Sequence, residues 1–127
     1  MSDKQEKGSD RTEDLALCIP EDKKEKLLGL LGFAARARRL VCGTDICRDE
    51  IRRGKLSFVL VASDASANTK KRIADACRYY SADICHIPVT SDALSSRIGK
   101  SAATMVVGIT DINFINGIVA LVGDKTH

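Results

Sequence analysis

The turn Gly43-Thr44-Asp45 stands between a short apolar run and a predicted helix, a position at which a chain can bind an anion. The first turn of a helix leaves backbone N–H groups without acceptors, and Thr44 is a favourable N-cap residue. The basic side chains around this turn are Arg36, Arg38, Arg39 and Arg48. Because N–H groups and cations together favour phosphate, the pattern predicts a phosphate-binding helix start. The arginines before the turn also suit the negative end of the preceding helix dipole, so both interpretations stay open.

A second candidate segment is the turn that joins a later predicted helix to a predicted strand. It consists of Ile98, Gly99, Lys100 and Ser101. We expect this turn, the Gly43 turn and the preceding arginines to gather at one end of the domain. Cations that hold phosphates, beside an apolar loop that supports an unstacked base, suit an irregular RNA helix. The basic triplet at residues 70–72 opposes its own helix dipole, and a solvated surface is the simpler interpretation of it.

Motifs for catalysis or cofactor binding are missing from the sequence. There is no G-x-G-x-x-G after a strand, no P-loop and no G-x-S-x-G, and the histidines are His86 and His127. The cysteines are Cys18, Cys42, Cys47, Cys77 and Cys85, with no C-x-x-C spacing. We therefore expect no enzymatic activity, no cofactor and no metal, and cysteines that are reduced and mostly buried. A small-ligand or redox role for the cysteines stays open as an alternative.

Helices alternate with four predicted strands, at residues 40–42, 56–62, 84–87 and 105–109. The run from residue 56 lacks polar alternation, which is typical of a strand covered on both faces, so we place it at the centre of the sheet. Helices on both sides of this sheet give an α/β fold. The sequence therefore predicts a three-layer α/β/α sandwich with a small mixed four-stranded sheet.

The chain of 127 residues is long enough for one domain. Residues 1–20 are polar and predict a flexible tail, residues 21–122 form the domain, and residues 123–127 are expected to fray. The tail carries three basic and five acidic side chains, a charge of −2. Because the net charge of the whole chain is +3, the rest of the chain carries +5. A modestly basic domain favours a polyanionic partner.

The composition excludes several classes of protein. Aromatic residues make up 4% of the chain, too few for a stacking platform that binds single-stranded nucleic acid. No apolar run approaches the roughly 20 residues of a membrane helix, and the N-terminus has no signal-peptide core. We expect a cytoplasmic monomer with no contact with a membrane.

Several ordered segments resemble a known family. They are residues 27–37 (LLGLLGFAARA), Leu40-Val41 with Gly43, residues 51–55 (IRRGK), residues 60–71 (LVASDASANTKK), Cys77 with Tyr79-Tyr80, and Ile98-Gly99-Lys100. In this order, over about residues 22–122, they look like the ribosomal L7Ae/L30e superfamily of kink-turn RNA-binding proteins, in its small bacterial YlxQ-like branch.

The resemblance implies a three-layer α/β/α fold that binds kink-turns in RNA without catalysis. In the family, a glycine at a strand end and the following helix start contact tandem sheared G·A pairs, and a loop near the fourth helix touches the RNA bulge. The matching positions here are Gly43, Thr44, Asp45, Ile46, Arg48 and Asp49, then Ile98, Gly99, Lys100 and Ser101. The supporting cations are Arg36, Arg38 and Arg39.

Three of these positions, Asp45, Ile46 and Asp49, depart from the family pattern of Asn-Glu after Gly-x and a later lysine. Asp45 accepts hydrogen bonds but does not donate them, and Ile46 does neither. Our first hypothesis is a non-catalytic RNA-binding protein of the ribosomal-protein type, whose partner is ribosomal RNA or another kink-turn RNA. The alternative is a ribosome- or transcription-associated protein-interaction module that has lost specific RNA recognition.

Overall fold

A computed structural model describes residues 17–123, in which strands and helices alternate. The strands of this part of the chain are β1 (Leu17–Cys18), β2 (Leu40–Cys42), β3 (Phe58–Val61), β4 (Asp83–His86) and β5 (Val106–Ile109). Its α-helices are α1 (Lys24–Arg36), α2 (Thr44–Arg52), α3 (Ala67–Tyr80), α4 (Ser91–Ile98) and α5 (Ile112–Val119). A 3-10 turn at Glu21–Lys23 leads into α1. Each described helix is too short or too polar to cross a lipid bilayer.

β3 lies at the centre of a mixed sheet with the strand order β1-β4-β3-β5-β2. β1, β4 and β3 run parallel, whereas β5 runs antiparallel to both β3 and β2. The predicted α/β/α class and the central place of this strand are confirmed. The predicted count of four strands is wrong, because the short strand β1 adds to the edge beside β4, with Leu17 opposite Cys85.

The sheet separates two apolar clusters, and β3 supplies both because successive side chains of a strand point to opposite faces. Phe58 and Leu60 pack into the cluster with α1, α4 and α5. Val59 and Val61 pack into the cluster with α2 and α3. All four side chains are buried, and burial of a side chain of this size stabilises the fold by about 1.5–3 kcal/mol. An apolar run without alternation thus produces a sheet that is covered on both faces.

Residues just outside both predicted domain boundaries contact the folded domain. Ile19, which we assigned to the tail, is buried, and its N–H donates to the carbonyl of His86 at 3.0 Å. Gly123, which we expected to fray, donates its N–H to the carbonyl of Cys18 at 3.1 Å. The ordered domain therefore begins before Pro20. The predictions for residues 1–16 and 124–127 lie outside the described residues.

The C-terminal ends of three strands, β2, β3 and β4, lie at the same end of the sheet as the start of β5, because β5 runs antiparallel to its neighbours. Cys42 lies opposite Val107, and Val61 lies opposite both His86 and Val106. α2, α3 and α4 all begin just beyond this edge. We call this end of the sheet the helix-start edge, and the end at which β2, β3 and β4 begin the opposite edge. The opposite edge receives the ends of α1, α2 and α3, so the two edges present opposite ends of the helix dipoles.

Candidate nucleic-acid interface

α2 begins at Gly43, on the helix-start edge, in a backbone conformation that favours glycine. Gly43 occupies the N-cap position with φ 108° and ψ 142°, a region that costs a residue with a Cβ roughly 1–3 kcal/mol. Its N–H donates to the carbonyl of Val106 at 2.9 Å, which ties the start of α2 to the start of β5. The N-cap that we predicted at Thr44 is wrong, since Thr44 is the first helical residue.

The start of α2 lacks the side-chain cap that its neighbours have. The Ser66 hydroxyl accepts a hydrogen bond from the Thr69 N–H at the start of α3. The Thr90 hydroxyl accepts one from the Ala93 N–H at the start of α4. No residue of the described chain provides an N-cap side chain at Gly43. The first-turn N–H groups of α2 are thus left for a ligand, at the positive end of the helix dipole.

Asp45 and Ile46, in this first turn, face outward. Ile46 is 56% exposed, and the Asp45 side chain is 80% exposed. Asp45 Oδ1 lies 2.6 Å from Arg72 Nη2 on α3 and 3.9 Å from Arg48 Nη1 on α2. Sequence reasoning missed the contact with Arg72 and interpreted the triplet at residues 70–72 as solvated. The one available signal was that this triplet opposes its own helix dipole.

An open groove of about 910 Å³ runs between α2 and α3. We call it the α2–α3 groove, and its charged lining residues are Asp45, Arg48, Asp49, Arg52, Arg72, Asp75 and Arg78. Asp49 pairs with Arg52 and also with Arg53, at 3.1 Å. Asp75 pairs with Arg78 at 2.7 Å. The negative charge of Asp49, one of the departures from the family resemblance, is therefore neutralised by neighbouring arginines.

The turn after α4 reaches the same edge as Gly43. Burial raises the pKa of the Cys42 thiol, and the positive charge of Lys100 is close enough to act in the opposite direction. Ser95 anchors this turn, since its carbonyl accepts the Lys100 N–H at 2.8 Å and its hydroxyl accepts the Thr104 N–H at 2.7 Å. The structure thus brings the predicted segments at residues 43–46 and 99–101 to one edge.

Ile98, although part of the predicted turn, is not available to a ligand. It is the last residue of α4, is 9% exposed and packs into the cluster with α1 and α5. Gly99 follows it with φ 80°, a left-handed conformation that ends the helix. The prediction that Ile98 offers an apolar surface is wrong, and its side chain instead supports the turn from the core.

The arginines before Gly43 do not gather at the helix-start edge. Arg39 precedes β2, and its carbonyl accepts the Thr110 N–H at 3.0 Å beyond the end of β5. Its Nε lies 3.5 Å from Asp111 Oδ2. β2 separates Arg39 from Gly43 by roughly 10 Å of strand, at about 3.3 Å per residue. The expectation that Arg38 and Arg39 lie beside the Gly43 turn is therefore wrong.

The cysteines are distributed over both faces of the sheet. Cys42 and Cys85 belong to the cluster with α1, and Cys47 and Cys77 belong to the cluster with α2 and α3. Burial raises the pKa of the Cys47 and Cys77 thiols to about 12, so both are protonated and unreactive near neutral pH. Residues 17–123 contain no group of histidine, cysteine and acidic side chains that could hold a metal ion.

The profile of the Ribosomal protein L7Ae/L30e/S12e/Gadd45 family matches residues 25–118, which is most of the described domain. The chain belongs to this family. The match runs from the first turn of α1 to the last turn of α5. It therefore includes both segments that converge at the helix-start edge.

Two curated bacterial members of the L7Ae/L30e family are similar over most of their length. The RNA-binding protein YlxQ of Bacillus subtilis (strain 168) is 43% identical over 93 residues, which are 72% of this chain and 90% of that protein. The RNA-binding protein YlxQ of Enterococcus faecium is 36% identical over 94 residues, which are 74% of this chain and 88% of that protein.

Solved structures agree with the L7Ae/L30e architecture. A protein of unknown function from Bacillus halodurans is 34% identical, with a TM-score of 0.69 over 76% of this chain and 95% of that one. The Giardia lamblia 15.5kD RNA binding protein has a TM-score of 0.65 at 23% identity, over 80% of this chain and 88% of that one. At that identity the second likeness concerns the fold alone.

The three positions that the sequence analysis singled out as departures, Asp45, Ile46 and Asp49, all lie in the first two turns of α2. Asp45 and Asp49 are ion-paired with arginines. Ile46 presents an exposed apolar side chain. The start of α2 therefore keeps its uncapped N–H groups without an unpaired negative charge beside them.

Proposed function

We propose that this protein is a non-catalytic RNA-binding protein that recognises a kink-turn or a similar bend in structured RNA. Its contact surface is the first turn of α2 together with the turn at residues 99–101. The observation that carries the proposal is how hydrogen bonds hold the two turns: Gly43 is bonded to Val106, at the start of β5, and Ser95 holds both Lys100 and Thr104, just before that strand. The names of the curated relatives, which describe them as RNA-binding, support RNA as the ligand.

Each part of this surface suits a different part of a bent RNA. The first-turn N–H groups bind phosphate or base acceptors, and Lys100 adds a cation. The Asp45 carboxylate accepts hydrogen bonds from guanine amino groups. The exposed Ile46 packs against an unstacked nucleotide. A regular A-form duplex keeps its base edges out of reach, so a bend that splays bases is the better substrate.

Three of the candidate residues act outside the contact surface. Ile98 supports the turn from the core. Arg38 and Arg39 lie beyond the opposite end of β2, where Arg39 pairs with Asp111. We therefore place the bent region of the RNA on the helix-start edge and assign Arg38 and Arg39 no contact with it.

A gel-shift titration tests the proposal with a kink-turn RNA and a control RNA of the same length in which complementary bases straighten the bend. Over a salt series from about 50 to 200 mM, we expect tighter binding to the bent RNA at every salt concentration. Equal and weak binding to both RNAs contradicts specific recognition. The same titration with Lys100→Gln should lower the slope of log affinity against log salt by about 1. Lys55→Gln, which removes a lysine near the opposite edge, should leave the slope unchanged.

A second candidate function is a protein-interaction module that no longer reads RNA. The pairing of Asp45 with Arg72 favours it, because a cation that a base-reading helix would use is held by a carboxylate of the same protein. Affinity capture from extract with and without nuclease separates the two functions. Partners that persist after nuclease treatment favour the interaction module, and partners that vanish with the RNA contradict it.

A further inference from the structure

α1 and α4 pack against each other at Gly32, and two arginines meet over this glycine. Gly32 is buried in α1. A Cβ at this position would lie 3.5 Å from Cδ of Arg97, on α4, and 3.9 Å from Nη1 of Arg36, on α1. The absence of a side chain at Gly32 therefore lets both arginine side chains converge on one point of the surface. They are 61 positions apart in the sequence, so no local pattern predicts this pair.

These two arginines differ from most arginines of the domain in having no carboxylate partner. The arginines that pair with an aspartate are Arg39, Arg48, Arg52, Arg53, Arg72 and Arg78. Neither Arg36 nor Arg97 makes an ion pair within residues 17–123. Each occupies the last turn of its helix, where the dipole favours a cation. The dipole explains each cation separately, but it does not require the Arg97 stem and the Arg36 guanidinium to lie beside the same glycine.

The pair continues towards the proposed RNA surface. Lys100 follows Arg97 by three positions, and its charge acts on Cys42 at the helix-start edge. In the other direction the Arg36 guanidinium lies over the Phe33 ring, with Cζ 4.8 Å from the ring centroid. Phe33 is 59% exposed, and this cation–π contact fixes the direction of the guanidinium at little cost in entropy. We call Phe33, Arg36, Arg97 and Lys100 the cationic strip.

We propose that Arg36 and Arg97 bind the phosphate backbone of an RNA arm that leaves the bent region held at the helix-start edge. The inference rests on the proposed function, because Lys100 joins the cationic strip to that surface. Neither guanidinium is held by a carboxylate of residues 17–123, and arginine binds phosphate through parallel N–H donors. A phosphodiester chain supplies successive anions along the strip, so it suits the arrangement better than a single small anion.

The test uses the full chain, the double variant Arg36→Gln/Arg97→Gln, and two kink-turn RNAs that differ only in the length of their helical arms. For the long-arm RNA we expect about tenfold weaker binding and a salt slope that falls by about 1.5–2, as expected for two lost phosphate contacts. For the minimal RNA, which ends before it reaches Arg36 and Arg97, we expect a change of less than about twofold. An equal loss on both RNAs, or no loss on the long-arm RNA, overturns the proposal.

Two control variants keep the result interpretable. Arg36→Lys/Arg97→Lys keeps both charges and should recover most of the affinity, whereas a purely structural role of the arginines predicts no recovery. Lys26→Gln/Lys55→Gln removes the same charge from outside the strip and should bind the long-arm RNA as the unmodified protein does. If it loses as much affinity as the arginine double variant, net charge alone explains the effect and the cationic strip is wrong.

The outcomes separate the inference from the proposed function. If the unmodified protein prefers the kink-turn but the arginine double variant binds normally, the strip fails and the proposed function stands. If the unmodified protein does not distinguish bent from straight RNA, yet the double variant loses affinity only for the long arm, kink-turn recognition fails and the strip stands as a phosphate-binding surface.

Discussion

The α2–α3 groove and the cationic strip are both rich in arginine, yet they differ in what surrounds each guanidinium. Every arginine that lines the groove lies within 4.0 Å of an aspartate oxygen. Arg36 and Arg97 have no such partner in the described chain. An exposed ion pair contributes little to stability, but it keeps its cation from binding other anions unless they outcompete the carboxylate. We therefore expect the strip, with two unpaired arginines, to bind phosphate more readily than the groove, with four paired ones.

This contrast changes how the net charge of the domain is understood. The sequence places +5 on the residues after the polar N-terminal segment, which favours a polyanionic partner without locating it. In the structure, aspartates neutralise most of the arginines on the α2–α3 side. On the α1–α4 side, by contrast, Arg36 and Arg97 have no carboxylate partner within residues 17–123. We therefore expect the distribution of carboxylates, rather than that of arginines alone, to decide which surface binds phosphate.

Gly43→Ala should have the largest effect, because both regions meet at the uncapped start of α2. The new Cβ occupies φ 108°, which costs roughly 1–3 kcal/mol and displaces the first-turn N–H groups. We expect kink-turn affinity to fall by about tenfold or more, since one lost base contact costs about 1–3 kcal/mol. A gel-shift titration at a temperature where circular dichroism shows the variant to be folded measures this loss.

Gly54→Ala is the matched control for Gly43→Ala. Gly54 follows α2 at its other end, with φ 77° and no atom near the position of a Cβ. The substitution forces a side chain into a left-handed backbone at a cost of about 1–2 kcal/mol, but it leaves the start of α2 intact. Affinity for RNA should stay unchanged. An equal loss in both variants shows that instability, rather than the start of α2, controls binding.

Asp45→Asn should raise the affinity for RNA, because it leaves arginines of the α2–α3 groove without their carboxylate partner. It removes the carboxylate that holds Arg72 at 2.6 Å and faces Arg48 at 3.9 Å. Asparagine also donates hydrogen bonds, which aspartate does not. We expect about three- to tenfold tighter binding to the kink-turn RNA, with a steeper salt dependence as the freed cations contact phosphate. Titrations at two salt concentrations measure both changes.

Asp75→Asn is the control for this gain. Asp75 lines the same groove, where a hydrogen bond from Lys71, aided by Arg78, holds the pKa of its carboxyl below the usual range. Its removal frees Arg78, near the end of α3, and Lys71, which does not line the groove. Affinity should change by less than about twofold, since neither cation is paired with a residue in the first turn of α2. A gain equal to that of Asp45→Asn shows that long-range charge alone sets the affinity.

The central strand and the start of α2 could be predicted because their signals are local. β3 is an unbroken apolar run, and a glycine between a strand and a helix marks a turn that needs a positive φ. β1 could not be predicted, because two residues beside a polar segment give no periodicity. Arg39 was misplaced because closeness in sequence suggested closeness in space, although a strand carries the chain from one edge of the sheet to the other.

The partners of charged side chains were the least predictable part of the candidate site. Arg72 meets Asp45 across two helices, and Arg97 meets Arg36 across a buried glycine. Such contacts depend on how helices pack, which hydrophobic periodicity predicts only as a face and not as a register. The burial of Ile98 was unpredictable for the same reason. Its place next to a turn suggested an exposed side chain, but it is the last residue of α4 and packs into the core.

Arg52→Gln/Arg78→Gln tests whether paired arginines contribute at all. Both side chains line the α2–α3 groove and pair with Asp49 and Asp75. We expect affinity for either kink-turn RNA to change by less than about twofold, since these cations are already neutralised. The same titration with Arg36→Gln/Arg97→Gln gives the comparison directly. Equal losses contradict the distinction between paired and unpaired arginines.

Arg38→Gly should give the smallest change in binding and a small gain in stability. Arg38 ends α1 with φ 60°, and the next N–H, of Arg39, donates to the carbonyl of Ala34 at 2.9 Å, the pattern that favours glycine. Relief of the left-handed backbone exceeds the added entropy of glycine, so we expect a gain of about 0.5–1 kcal/mol in thermal or denaturant unfolding. Ser81→Gly, at φ 61° after α3, should give a similar gain. Because Arg38 lies at the opposite edge, RNA affinity should be unaffected in both variants. If Arg38→Gly weakens RNA binding and Ser81→Gly does not, the Arg38 guanidinium contacts RNA. The RNA surface then extends around the start of β2.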